Sequence, residues 1–169
     1  MTIPPWALTL SYWLHMLATV AWIGGLAAVV LLVIPAARQL KDPEHQAALL
    51  ENAQRRLDPV GWFSLVLLTG TGLIQMSASP QYHGLLAMTN QWAVAILLKH
   101  VVFLGMTGIS AYLTWFSLPE LNRAALRQSL GKMPPQLAAL QKRNLFLLRV
   151  NLILGIIILA LTALARASV

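Results

Sequence analysis

Cysteine is absent from the 169 residues, and charged residues make up only 10% of them. The first absence excludes disulfides, zinc–thiolate sites, iron–sulfur clusters and thiol nucleophiles, and removes the usual marker of redox compartment. The second excludes an ordinary soluble domain, in which about 25% of residues are charged. Acidic residues number five, and Asp42, Glu44, Glu51, Asp58 and Glu120 all fall in expected connections between apolar stretches. With no carboxylate expected inside an apolar segment, hydrolytic acid–base catalysis and a proton relay have little support. No basic residue precedes Arg38, so the first apolar stretch lacks a basic n-region and is read as a mature span rather than a cleavable signal.

What the chain has is long apolar runs, with 58% hydrophobic residues. A span needs roughly 20 apolar residues to cross a hydrocarbon core about 30 Å thick. Four such runs are present, at about Trp6–Ile34, Pro59–Met76, Trp92–Leu118 and Asn144–Ala165. Asp58-Pro59 reads as an N-cap followed by a first-turn proline, and Pro119 as the stop of the third run. The expected fold is all-α, a four-helix transmembrane bundle forming a single integral membrane domain over residues 1–169. Residues 40–57 and 120–142 read as extensions or interfacial helices, and no internal repeat stands out.

The connections differ in charge. Arg38, Lys41, Arg55 and Arg56 lie between runs one and two. Arg123, Arg127, Lys132, Lys142 and Arg143 lie between runs three and four. Ser77 to Gln91 carries no charge, and neither does the segment before Trp6. The positive-inside rule makes the basic side cytoplasmic, so both termini are expected on the outer, periplasmic side of a bacterial cytoplasmic membrane. Arg166 is the dissenting charge. The net charge of +7 is thereby explained by topology and anionic lipid, and no nucleic-acid partner is expected.

Two histidines break the apolar runs at similar places. His15 is nine residues past Trp6 and His100 eight past Trp92. An imidazole in hydrocarbon is costly, so an intramembrane histidine is a functional hypothesis by default. At 1.5 Å rise per residue both sit about 12–13 Å below the segment start. Two ligands at one level can clamp a haem in a bundle core. Ser11, His15, Thr19 and Trp22 share one face of run one, and Ala93, His100, Thr107, Gly108 and Ala111 one face of run three. Thr19 is a candidate to orient the imidazole and Trp22 to line the site. Lys99 either neutralises a haem propionate or quinone oxygen, or snorkels outward. Arg149 reads as snorkelling and Asn151 as an interhelical hydrogen-bonding residue. The bland alternative for the histidines is helix packing with bonds to hydroxyls or water.

Methionines raise a copper alternative. Met16 adjoins His15, and Met76, His83 and Met88 cluster around the uncharged connection. Thioethers suit Cu(I), and imidazole suits either copper state. Their spacing makes no compact M-x-x-M or H-x-H motif, and methionine is also common filler in apolar helices. His45 reads as a surface residue.

Three stretches carry a family resemblance. YWLHMLATVAWIGGLA, RLDPVGWFSLVLLTGTGL and QWAVAILLKHVVFLGMTGISAY resemble the first three helices of the copper-resistance D (CopD-like) membrane family. That resemblance implies a copper-handling membrane protein. A weaker likeness is to HemJ-type protoporphyrinogen oxidase, a haem-b membrane protein, through His15, Trp22, Gly25 and Leu26, Lys99, and the Arg149 and Asn151 of LRVNLIL. The glutamate of that last motif is absent here. This likeness implies haem b at His15. The leading expectation is a haem-b protein with axial ligands His15 and His100, transferring electrons to a quinone or porphyrinogen. The alternatives are copper transport or delivery, and a cofactor-free accessory subunit. The many glycines leave packing faces suited to a homodimer.

Overall fold

A computed structural model of the chain describes residues 3–82, 84, 88, 90–129 and 137–168, with the backbone alone described at 43, 44, 47, 125, 128 and 129. His83, Lys132 and Pro134-Pro135 lie outside the described residues. Helices, and among the described residues no strands, make up the fold. α1 (Pro5–Ala28) passes through a wide π turn (Val29–Val33) into α2 (Ile34–Gln39). α3 (Pro43–Ser77) returns, and α4 (Gln91–Tyr112) passes through a second π turn (Leu113–Ser117) into α5 (Leu118–Ser129). α6 (Leu137–Ala167) closes the bundle. Four helical rods, Pro5–Gln39, Ala48–Ser77, Gln91–Ala124 and Leu137–Ala167, are long and apolar enough to cross a membrane.

The helices outrun the four apolar runs read from the sequence, and the prolines explain how. Proline lacks an N–H and its ring collides with the carbonyl four residues back. Before Pro35 the Ile34 N–H bonds five residues back to Val29, and before Pro119 the Leu118 N–H bonds to Leu113. Widening each turn moves the obstructing carbonyl aside, so the helix continues where a stop was expected. Pro59 lies inside α3, which begins at Pro43. Asp58 is therefore no N-cap but a residue in the middle of a helix. The third helix likewise does not end at Leu118 but carries on to Ser129, and the fourth begins at Leu137 rather than Asn144.

Two antiparallel pairs build the bundle. In the first, Ser11 meets Gln75 and Trp22 approaches Gly61, so α1 and α3 run in opposite order. In the second, Asn151 bonds Ser110 and Ser117 bonds Asn144, so α4 and α6 do the same. The pairs join through α6, where a Cβ on Gly155 would stand 3.3 Å from Met106 Cε and 3.5 Å from Ile23 Cγ1. Arg166 lies over the Tyr12 ring at 4.9 Å, which ties the end of α6 to the start of α1. The positive charge that dissented from the topology thus has an aromatic partner.

Ala18, Trp22, Leu65, Leu68, Met106 and Ile158 form the central core, with contributions from all four long helices. Trp22 and Phe103 meet edge to face at 5.8 Å, and Trp62 stacks on Trp115 at 5.0 Å. Large apolar side chains such as Val20, Phe63, Leu104 and Ile156 point outward. A soluble protein of this size would bury such a continuous apolar coat. Here the outward residues meet lipid, and the close contacts between helices use small residues and hydroxyls.

Candidate functional site

The face predicted along α1 is real: Ser11 and Trp22 are buried, and His15 and Thr19 are half-buried. Thr19 does not orient the imidazole. Its hydroxyl donates to the His15 carbonyl of its own helix at 2.8 Å. The partner of the ring is Thr71 of α3, whose Oγ1 lies 2.8 Å from His15 Nδ1. Thr71 gives its own hydroxyl hydrogen to the Leu67 carbonyl, so the ring must donate from Nδ1. Nε2 is left as a lone-pair donor, the state in which neutral imidazole binds a metal.

A belt of polar contacts holds this arrangement. Ser11 Oγ donates to the Thr71 carbonyl at 3.2 Å, and Gln75 Nε2 donates to the Ser11 carbonyl at 3.1 Å. Gly72 lies beside the ring, and a Cβ there would stand 3.5 Å from His15 Cε1. Sequence reasoning missed Thr71 and Gln75. They recur at i, i+4 on one face of α3, next to Gly72, and that small-polar stripe was the available signal.

His100 Nδ1 lies 2.7 Å from the carbonyl of Ile96 on its own helix. A carbonyl only accepts, so this ring too carries its proton on Nδ1 and leaves Nε2 free. The two rings are secured by different helix pairs, His15 across to α3 and His100 to α4 itself. Trp22 of α1 meets Phe103 of α4, and both helices run antiparallel to α6 and so parallel to each other. Lys99, next to His100 on α4, is half-buried. Among the described residues no group of three or more His, Asp or Glu side chains gathers to hold a metal ion.

The methionines scatter. Met16 turns outward and is 67% exposed. Met76 packs with Trp92, Ala93 and Ala95 in a second buried cluster, and Met88 is exposed at the uncharged end. Met106, which the sequence did not single out, is wholly buried in the central core. His45 pairs with Asp42 on the surface at 2.7 Å. Arg149 is exposed, and Asn151 makes the interhelical bond expected of it, donating to Ser110 Oγ at 2.9 Å.

The geometry gives a haem no support: a macrocycle between two axial histidines needs a flat slot lined by both, and neither of two cavities described in the bundle is lined by His15 or His100. Trp22, expected to line that slot, instead fills the core with Leu65, Leu68 and Met106. The cavities lie toward the basic end. The smaller, of about 90 Å³, is walled by residues of all four rods, among them Gln54, Asp58, Ser110, Thr114 and Asn151. Asp58 is half-buried here, so one acidic residue lies between packed helices and not in a connection.

Comparison with known proteins bears on the same residues. No curated protein and no solved structure matches the chain. A family model described as copper resistance protein D matches residues 51–165, which takes in Thr71, Lys99, His100 and Asn151 and leaves out His15. With its four apolar rods, the chain belongs to the copper resistance protein D family, as a multi-pass protein of the cytoplasmic membrane.

Proposed function

We propose that the protein handles copper as its cargo, transporting it across the membrane or delivering it at the outer face. His15 and His100 each offer one imidazole Nε2 to the ion. The supporting observation is that both membrane histidines hold their proton on Nδ1 within a chain of the copper resistance protein D family. Imidazole nitrogen suits both Cu(I) and Cu(II), whereas the absence of cysteine removes the thiolates that would hold Cu(I) tightly. Weak ligation is what transport requires, since an ion held too firmly does not leave. Met88, exposed at the uncharged end, offers a thioether for capture. The charge-free character of that end, opposite the basic connections, supports its lying outside under the positive-inside rule.

Whole-cell copper measured by mass spectrometry in a bacterial host tests this reading. Expression of the protein is expected to change copper content severalfold relative to empty vector, and His15→Ala is expected to abolish most of the change at equal protein level. Unchanged copper content with well-expressed wild type would reject transport.

A further inference from the structure

The cavity between the rods at the basic end is independent of the histidines and has a chemistry of its own. Gln54, Asp58, Ser110, Thr114 and Asn151 line it, together with the indoles of Trp22 and Trp62. No Lys, Arg, His, Cys or Met lines it. Thr114 and Asp58 face the same cavity, and among the described residues no cationic side chain forms an ion pair with Asp58. A carboxylate set among packed helices without a counter-charge is expensive.

The second observation is independent. Asn151 is 1% exposed, and its Nδ2 is used by Ser110. Its Oδ1 is buried with no hydrogen-bond partner. Buried polar atoms are nearly always satisfied, so an orphaned acceptor on a cavity wall marks something that cavity takes up. The lining offers carboxylate oxygens, two amide oxygens and two hydroxyl oxygens, and no cationic side chain. The ligand that satisfies acceptors around one negative charge is a cation.

We propose that this cavity is a binding site for a hard monovalent cation, with Asp58, Asn151 Oδ1, Ser110 and Thr114 as its oxygen ligands. All-oxygen donors select hard ions over Cu(I). A single carboxylate neutralises one charge, whereas calcium sites assemble several. A volume of about 90 Å³ admits an ion with part of its hydration shell, given roughly 30 Å³ per water in the liquid. The route in is from the basic end: Val29, Gln54, Leu118 and Leu148 line both this cavity and the larger one, of about 320 Å³, beside it. Sodium is the probe of that class.

Thermal unfolding of the full chain in detergent, at fixed ionic strength and with choline replaced stepwise by sodium, reads the site. Binding to the folded state alone raises Tm with a saturable dependence on the ion. Wild type is expected to show that dependence, and Asp58→Asn and Asn151→Leu to lose it, with sodium affinity at least tenfold weaker. Should Asp58→Asn fail to fold, Ser110→Ala leaves the carboxylate in place and is expected to weaken sodium severalfold. A cavity holding water only gives no sodium dependence, and that result overturns the proposal, as does a sodium dependence unchanged in the variants.

Discussion

Thr71 decides the chemistry of His15. Because the Thr71 hydroxyl hydrogen is committed to the Leu67 carbonyl, its oxygen can only accept from Nδ1, and the ring is both oriented and fixed in the ligand tautomer. Removing such a supporting bond costs metal sites roughly 10–100-fold in affinity. Thr71→Val keeps the shape, deletes the acceptor, and is expected to weaken copper binding by that order in a Cu(I) competition titration; Thr71→Ser is expected to preserve it. Equal affinity in all three would mean that Thr71 does not set the ring. Gly72 supplies the space beside the ring. Gly72→Ala brings a methyl to ordinary contact distance from His15 and is expected to leave affinity unchanged. Gly72→Val pushes further, at an overpacking cost of about 1–3 kcal/mol, and is expected to lower both Tm and copper affinity. The histidines were legible in the sequence because ionisable groups are rare in apolar runs. Thr71 was not, because a threonine in a membrane helix usually bonds its own backbone, and only the facing helix reveals its second role.

At the scale of elements, apolar runs located the four spans well and prolines located their ends badly. Pro59 and Pro119 read as boundaries and run one ends at Ile34, just before Pro35, yet all three prolines lie within helical rods. Two are accommodated by π turns, which depend on local crowding and tertiary support and carry no residue signature. The second π turn is also a docking point. Ser117, fully buried within it, donates to Asn144 Oδ1 of α6 at 3.1 Å, and one turn further Arg143 pairs with Glu120 at 2.7 Å. Ser117→Ala is expected to lower stability by about 0.5–1.5 kcal/mol, measured by reversible unfolding in mixed micelles. Glu120→Gln, which breaks a half-exposed pair, is expected to change it by less than about 1 kcal/mol. An unperturbed Ser117→Ala would show that α4 and α6 do not rely on this turn.

The whole molecule has a two-part plan that the sequence did not display. Each half is a long rod with a histidine in its first half and a π turn before a proline, followed by an antiparallel partner. His15 precedes the turn at Val29 by 14 residues (29 − 15), and His100 precedes Leu113 by 13 (113 − 100). The likeness is geometric, carried by interchangeable apolar residues, and so escaped reading from letters. Charge supplies the orientation. Fusion of a periplasm-active reporter after residue 168 is expected to be active, and after residue 41 inactive; the reverse pattern would invert the bundle and place the uncharged end inside. Copper at His15 Nε2 is tested most directly by a Cu(I) competition titration of the purified protein with X-ray absorption at the copper edge. Nitrogen scattering from imidazole is expected in wild type, with binding at least tenfold weaker in His15→Ala. Failure of wild type to bind Cu(I), or full affinity with an unchanged spectrum in His15→Ala, would contradict that assignment.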